Sequence, residues 1–315
     1  MTPKVRVAVV GVGYLGRHHA RILSALPGVE LVAVIDVNRS RAEQIAAQNG
    51  TVALTDCRDV IGKVDAVTIA VPTEAHTAIA LPCLSAGVSV LVEKPMARTL
   101  DEADAMIDAA ARAGVTLAVG HTERFNPAVE VARPLLTNPR FIEVHRLGTF
   151  PERSLDIDVV FDLMIHDLDV VLSLVRSDVE SIDAVGVPVL TGRVDIANAR
   201  VRFANGCIVN LTASRISRDR VRRIRFFQPA TYLSIDYAAQ KVERWQLVRG
   251  PTGMPSIQGG DVDVVNEEPL KRELADFVDA VVARRSPGVT GHDGRRALAL
   301  AQQITDKMDG PSRSG

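Results

Sequence analysis

Residues 5–36 read VRVAVVGVGYLGRHHARILSALPGVELVAVID and decide the fold of the N-terminal part of the chain. An apolar strand runs into Gly11, Gly13 and Gly16. An amphipathic helix and a second apolar strand follow, and that strand ends at Asp36. Gly11 permits a tight turn, Gly13 lets the backbone approach a pyrophosphate, and Gly16 lets the helix pack closely on the strand. Phosphates would lie at the helix N-terminus, where unpaired N–H groups and the helix dipole favour an anion.

Asp36 adds a preference among dinucleotides to this pattern. It follows Gly16 at the offset at which a carboxylate accepts hydrogen bonds from a ribose diol, about 20 residues. The stretch therefore predicts a dinucleotide-binding βαβ unit, and the alternative is a glycine-rich turn that only packs such a unit. Asp36 favours NAD over NADP, because a 2′-phosphate would meet a carboxylate. Arg39 and Arg41 are close enough in sequence to pair with such a phosphate, so NADP is not excluded.

Composition limits the function classes. A chain of 315 residues with 47% apolar residues is long enough for two cores, so two domains are expected. The net charge of −1 indicates neither a nucleic-acid nor a membrane partner, and no apolar run reaches membrane-spanning length. Three scattered cysteines argue against a disulfide framework or a metal cluster. We expect a cytoplasmic protein without a metal.

The remainder of residues 1–120 alternates between helical and strand periodicity. Short apolar strands separated by helices predict a doubly wound parallel sheet of the Rossmann type, covered on both faces. Thr99, with Glu102 three residues later, predicts a capping box. The predicted elements are a helix over 40–49, a strand over 65–71, a helix over 74–86, a strand over 88–92, a helix over 99–113 and a strand over 115–119.

Residues 121–315 show a different pattern and predict a second, α+β domain. Asn205-Gly206 between two strands is a strong hairpin signal, because both residues tolerate positive φ. This domain should contain a large, mostly antiparallel open sheet with one inserted helix over 159–175. The predicted strands are 141–150, 179–187, 194–203, 207–214, 221–227, 232–237 and 241–248, and helices over 270–285 and 294–307 follow.

Ligands of an open parallel sheet bind outside the carboxyl ends of its strands. Two loops lie there besides the glycine loop, Pro72–His76 (PTEAH) and Glu93–Pro95 (EKP). Lys94 directly follows a strand, so rigid structure aims it toward the cofactor crevice, although a solvated lysine before a helix is the alternative. His76 is either near the cofactor or a residue that caps or packs the following helix.

A second candidate constellation lies on the inserted helix, which contains FDLMIHDLD. Asp162 and His166 are four residues apart and share a helix face, and Asp169 lies one turn further along it. An imidazole has the pKa range needed to move a hydroxyl proton near neutral pH, and a carboxylate can orient it. A surface ion pair is the alternative, but the apolar neighbours favour a cavity or a partner.

These motifs resemble one family over almost the whole chain, that of the glucose-fructose oxidoreductases, inositol dehydrogenases and rhizopine-catabolism oxidoreductases. The Glu-Lys-Pro tripeptide combined with an Asp-x-x-x-His helix is specific to that family. The stretches that carry the resemblance are GVGYLG, VPTEAH, EKP, GHTERFNP, DLMIH and ELADFVDAVVARRSPGVTGHDGRRALALAQQI.

The resemblance implies a dehydrogenase that uses NAD or NADP to move hydride at a sugar or cyclitol carbon bearing a hydroxyl. It implies that Lys94, Asp162 and His166 are catalytic. It also implies that Arg124 lies near the nicotinamide and that the Lys94–Pro95 bond is often cis. The residues expected around the cofactor are Gly11, Val12, Gly13, Tyr14, Leu15, Gly16, Asp36, Val71, Pro72, Thr73, His76, Glu93, Lys94 and Arg124.

Within the family, GHTERFNPAV, DLMIHDLDVVLSL and YLSIDY are most similar to members that oxidise the 3-hydroxyl of UDP-N-acetylglucosamine in nucleotide-sugar metabolism. A run of six arginines between 215 and 225 agrees with a diphosphate substrate, since a diphosphate needs cationic partners. A solvated edge or a subunit interface explains the run equally well. The alternatives are a dehydrogenase of a free sugar or inositol, and a nicotinamide-sensing regulator without catalysis. The resemblance also implies a homo-oligomer, a dimer or tetramer.

Overall fold

A computed structural model of the chain describes residues 4–150, 157–249 and 254–308. The strands are β1 (Val5–Val10), β2 (Val29–Ile35), β3 (Val52–Leu54), β4 (Ala66–Ile69), β5 (Ser89–Glu93), β6 (Leu117–Gly120), β7 (Phe141–Leu147), β8 (Val179–Val187), β9 (Ile196–Phe203), β10 (Ile208–Ser214), β11 (Val221–Gln228), β12 (Thr231–Asp236), β13 (Lys241–Arg249) and β14 (Pro255–Val262). The helices are α1 (Gly16–Ala25), α2 (Arg39–Asn49), α3 (His76–Ser85), α4 (Leu100–Ala113), α5 (Pro127–Ala132), α6 (Ile165–Val175), α7 (Pro269–Ala283) and α8 (Gly291–Met308).

The chain divides into two compact units. The first contains residues 4–122 and 268–298, and the second contains the described residues of 123–267 and 299–308. The sequence places all of 121–315 in one domain, so the structure differs from that expectation for 268–298. The physical reason is that Leu274 and Phe277 of α7 are fully buried in the same apolar core as Val7 and Val9 of β1. The sequence pattern of α7 marks an apolar face without indicating which core it joins.

The first unit confirms the predicted Rossmann topology. Its six strands are parallel and lie in the order β3-β2-β1-β4-β5-β6. Every residue of β4, β5 and β6 is buried, as expected for a parallel sheet covered on both faces. The carboxyl ends of β1, β4 and β5 therefore lie side by side, which brings the glycine loop, the Pro72 loop and Lys94 to one edge of the sheet.

The second unit confirms the large, mostly antiparallel sheet. Its eight strands lie in the order β14-β13-β12-β11-β7-β10-β9-β8, and the β7–β10 pair is parallel. Along β9, Ala197, Ala199 and Val201 are buried while the alternate residues are exposed, so one face packs on a core and the other does not. No predicted strand corresponds to β14, because PSIQGGDV is glycine-rich and largely exposed and lacks an apolar alternation.

Two helix details differ from the sequence expectation. Only half of the capping box forms: the Thr99 hydroxyl accepts from the Glu102 N–H at 3.2 Å, whereas the Glu102 carboxylate accepts from the Arg98 N–H at 3.0 Å. The inserted helix begins with a π-helical turn, Val160–Met164, before α6. Among the helices of the described residues, none combines the length and apolar character needed to cross a membrane.

Candidate active site

The glycine loop after β1 has the shape that a pyrophosphate requires. Gly11 has φ +83°, and a Cβ there would lie 2.6 Å from Val71 Cγ1. A Cβ on Gly16 would lie 1.8 Å from the Gly11 carbonyl oxygen, so both positions exclude a side chain. A Cβ on Gly13 would meet nothing within 4 Å. Gly11 and Gly16 thus serve packing, while Gly13 leaves room for a ligand against the backbone.

The N-terminus of α1 can receive an anion. Leu15 occupies the N-cap and provides no side-chain cap, so side chains do not occupy the positive end of the helix dipole. Tyr14 is 60% exposed beside this terminus, and the Arg17 guanidinium lies 4.9 Å from the centre of its ring. These residues fit a dinucleotide phosphate held by backbone N–H groups.

Asp36 follows β2 and is nearly buried. Its Oδ2 accepts from the Val12 N–H at 3.0 Å, and its Oδ1 accepts from the Asn38 N–H at 2.9 Å. The Arg41 guanidinium donates to both oxygens, at 2.9 and 2.7 Å. Burial alone would raise the pKa of Asp36, but the hydrogen bonds from Arg41, Asn38 and Val12 outweigh it and lower that pKa. The carboxylate is thus ionised and fixed at the place where the sequence predicts a ribose.

Lys94 stands where β5 ends. It is half-buried between the buried residues Glu93 and Pro95, and the Lys94–Pro95 bond is cis, as the resemblance implied. The Glu93 carboxylate points into the unit: its Oε1 lies 3.2 Å from His19 Nε2, and a Cβ on Gly120 would lie 2.7 Å from the same oxygen. Lys94 is therefore not a fully solvated lysine, and its neighbour Glu93 is part of a packed interior.

His76 is the first residue of α3 and is 1% exposed. Its Nδ1 lies 3.0 Å from the Pro95 carbonyl oxygen and its Nε2 lies 2.9 Å from the Val71 carbonyl oxygen. Burial lowers the pKa of His76, and a neutral ring donates through only one nitrogen at a time. His76 links the backbone after β4 to the backbone after Lys94, which agrees with the packing alternative for this residue. Pro72 is exposed and Thr73 is half-buried beside it.

In the second unit, the π-helical turn and α6 present the predicted Asp162 and His166. Asp162 lies in the π-helical turn and His166 is the second residue of α6, and both are half-buried. Every residue of 164–172 except His166 is buried. A π-helical turn changes the angle about the helix axis between side chains four positions apart, and such turns occur frequently at functional sites. Asp169, expected on the same face, is instead buried and binds Arg124 at 2.8 Å.

A buried charge network that was not predicted from the sequence supports this helix. Arg146 of β7 donates to Asp167 at 2.6 and 3.1 Å and to Glu123 at 3.1 Å, and its guanidinium lies 5.3 Å from the Tyr237 ring centre. Burial raises the pKa of Asp167, and Arg146 partly offsets that rise. The signal was present in FIEVHRL, where Arg146 occupies the same face as the buried Ile142 and Val144.

The arginine run divides into separate roles. Arg215 is buried, lies 3.5 Å from Asp195 and donates to the Val194 carbonyl oxygen at 3.1 Å, so its role is structural. Arg225 pairs with Glu143, and Arg223 lies 3.4 Å from Asp236. Arg223 and Arg222 are neighbours on β11 and so point to opposite faces of the sheet. Three further arginines of the run are exposed, namely Arg218, Arg220 and Arg222.

Two family models match the chain. The NAD-binding Rossmann fold of the GFO/IDH/MocA oxidoreductase family matches residues 5–121, and the GFO/IDH/MocA C-terminal domain matches residues 138–228. The chain belongs to the Gfo/Idh/MocA oxidoreductase family. The resemblance drawn from its motifs is confirmed, and the first unit is an NAD-binding domain. Among the described residues, no group of His, Cys, Asp and Glu side chains is arranged to hold a metal ion.

Individual Gfo/Idh/MocA proteins show how far the similarity extends. UDP-N-acetylglucosamine 3-dehydrogenase of Acidithiobacillus ferrooxidans is 39% identical over 95% of this chain and 96% of its own length. The solved structure of that enzyme has a TM-score of 0.91 and covers 97% of this chain and 98% of its own. Myo-inositol 2-dehydrogenase of Thermotoga maritima is 25% identical over 97% of this chain and 96% of its own length. Levoglucosan dehydrogenase in complex with NADH shares the fold at 18% identity, with a TM-score of 0.88 over 97% of both chains.

Proposed function

We propose that this oxidoreductase is an NAD-dependent dehydrogenase that oxidises the 3-hydroxyl of UDP-N-acetylglucosamine. The observation that carries the proposal is the near full-length similarity to an enzyme of that activity, at 39% identity over 95% of the chain. Dehydrogenases of inositols are similar at lower identity, 25% for the Thermotoga maritima enzyme, so an inositol is the second candidate substrate.

The proposed roles of the site residues follow from their chemistry. NAD, when bound, accepts the hydride from the carbon that bears the hydroxyl. His166 accepts the hydroxyl proton, and the C–O bond becomes a carbonyl as the O–H and C–H bonds break. Lys94 donates a hydrogen bond to the same oxygen and stabilises its developing negative charge. Asp162 orients the imidazole of His166.

The second unit offers a surface for association of two copies. Four aromatic residues are directly opposite one another on neighbouring strands and so lie on one sheet face. They are Phe141 on β7, Phe227 on β11, Tyr232 on β12 and Trp245 on β13. Ile257 on β14 extends this aromatic face and is 74% exposed. The same face carries arginines and carboxylates, paired as Arg223–Asp236 and Arg225–Glu143. A surface with charges of both signs can contact an identical surface without net repulsion. We propose a homo-oligomer formed through this face, working in the cytoplasm, where three free thiols persist.

A substrate comparison tests the proposed function. Purified protein is mixed with NAD and with UDP-N-acetylglucosamine, UDP-glucose, free N-acetylglucosamine or myo-inositol, and NADH formation is followed by absorbance. We expect kcat/KM to be highest for UDP-N-acetylglucosamine, and the product to carry the carbonyl at position 3. A higher kcat/KM for myo-inositol than for UDP-N-acetylglucosamine would contradict the proposal and favour an inositol as the substrate.

The strand β11 supplies a matched pair of variants for the diphosphate. Arg222 is on the sheet face of Arg146, toward α6, whereas Arg223 is on the opposite face and contacts Asp236. Arg222→Ala should raise KM for the UDP-sugar with little change in kcat, as expected when uniform binding is lost. Arg223→Ala serves as the control and should leave both constants near the wild-type values. Equal effects of the two variants would exclude Arg222 as the diphosphate ligand.

A further inference from the structure

The carboxylate of Asp36 already has four donors. The Val12 and Asn38 N–H groups donate to Oδ2 at 3.0 Å and to Oδ1 at 2.9 Å, and Arg41 adds one hydrogen bond to each oxygen. An ionised carboxylate offers about four acceptor positions. A ribose diol that binds Asp36 in NAD must therefore replace a donor that is already there.

Of the four donors, only those of Arg41 are able to leave. The two N–H groups belong to the backbone of the glycine loop and of the turn before α2, where the fold holds them. The Arg41 side chain is 45% exposed, whereas the Asp36 side chain is 4% exposed. An ion pair with so exposed a partner contributes little to stability, so displacement of the guanidinium costs little.

The same guanidinium has a second use when the cofactor carries a 2′-phosphate. Left beside Asp36, it neutralises the carboxylate that would repel the phosphate, and its remaining N–H donors can bind phosphate oxygens. Arg39 lies near it on α2 but is 81% exposed and bonds Glu43 at 2.9 Å, so it has no contact with Asp36.

We infer that Arg41 sets the cofactor preference of this protein, because it competes with the ribose of NAD for Asp36 and supplies the cation that NADP requires. Two opposite effects follow from its removal. NAD gains access to Asp36 without displacing a guanidinium, and NADP loses its cation while the carboxylate stays charged. The inference rests on the NAD-binding domain and does not depend on the identity of the sugar.

Calorimetric titration with NAD and with NADP, in the absence of sugar, tests this inference. Arg41→Ala should tighten NAD binding about two- to tenfold and weaken NADP binding by at least about tenfold. Arg39→Ala is the matched control and should leave the ratio of the two dissociation constants within about twofold of wild type. Partial unfolding of a sample lowers the number of binding sites per protein equally for both cofactors. The ratio of the two dissociation constants therefore reports only on specificity.

A double substitution shows whether Arg41 acts through Asp36. In Asp36→Asn, the carboxylate that attracts Arg41 is gone, so the further change Arg41→Ala should no longer tighten NAD binding. Weaker NAD binding in Arg41→Ala, an unchanged ratio, or an equal shift in Arg39→Ala would each overturn the inference. Failure of the proposed sugar substrate would leave these titrations unaffected, so the two proposals fail separately.

Discussion

His166 directly precedes two acidic residues on the same helix, Asp167 and Asp169, and both acids are held by arginines. Asp167 binds Arg146 and Asp169 binds Arg124, and both acids are buried while His166 is half-buried. Buried ion pairs fix their side chains, so the backbone that carries the imidazole has little freedom. At the scale of single residues, the most informative feature is a polar group with partial exposure among buried neighbours. Lys94 after β5 shows the same feature.

Both residues are proposed to act on one hydroxyl oxygen, which makes their removal a test of the mechanism. His166→Ala should lower kcat by about 100- to 10,000-fold, the usual contribution of a positioned general base. Lys94→Ala should be impaired to a similar extent. The double variant should lose much less than the product of the two, because groups that act as a unit are not additive. Steady-state kinetics with the true substrate measures all three.

NAD binding is the control for these variants, since the glycine loop and Asp36 are unchanged. The dissociation constant for NAD should stay near the wild-type value in each protein. Near wild-type turnover of His166→Ala would mean that the proton leaves through another group, and Asp162 would be the next candidate.

At the scale of elements, the helix that carries the candidate base depends on a strand of the neighbouring sheet. Arg146 is at a core-facing position of β7, where the alternation of FIEVHRL calls for an apolar residue. It is occupied by a cation because α6 and Glu123 supply carboxylates to it. The π-helical turn before α6 is a second departure from simple periodicity; the alternation of β7 marks position 146 as core-facing, but no sequence rule names the partners of Arg146 or locates the π-helical turn.

Removal of Arg146 should therefore destabilise the second unit. Arg146→Met keeps much of the apolar volume but leaves Asp167 buried without its main cation, and we expect a loss of about 3–5 kcal/mol in the free energy of unfolding. Denaturant unfolding followed by circular dichroism measures this loss. Arg193→Met, at an exposed position between β8 and β9 of the same unit, is the control and should change stability by less than about 0.5 kcal/mol.

The free energy of unfolding lost in Arg146→Met should decrease as the pH falls. Burial already raises the pKa of Asp167, and without Arg146 it rises further, with Arg222 as the remaining cation that opposes it. A carboxyl whose folded pKa exceeds its unfolded value destabilises the protein above the folded pKa and ceases to do so below the unfolded value, about 4. The difference between wild type and Arg146→Met should shrink as the pH falls from about 8 toward about 5. A pH-independent difference would show that lost packing, rather than the buried charge, causes the effect.

At the scale of the whole molecule, the sequence predicted what is local and missed what is brought together from distant positions. The glycine loop, Asp36 and Lys94 are each defined by a strand and the few residues after it, and the structure has them in that order. The doubly wound parallel sheet was predictable because alternating strands and helices leave few topologies, whereas its strand order, β3-β2-β1-β4-β5-β6, was seen only in the structure. Three features were missed: the membership of α7 in the first unit, the buried Arg215 and the Arg146 network. Each depends on contacts between residues about 20 or more positions apart in the sequence, which periodicity does not encode.

The aromatic sheet face of the second unit carries the last prediction. Trp245 is 41% exposed and lies opposite Tyr232, and the Phe227 ring packs at a tilt against the Tyr232 ring with 5.3 Å between ring centres. Aromatic residues on such a face contribute most of the energy of protein interfaces, so Trp245→Glu should weaken self-association by about 30-fold or more. Light scattering coupled to size exclusion, over a concentration series, measures it. Val282→Glu, an exposed position on α7 of the first unit, is the control and should leave the oligomer unchanged. A wild type that is monomeric at every concentration, or a Trp245→Glu variant with unaltered oligomer size, would show that the aromatic face serves another purpose than pairing two copies.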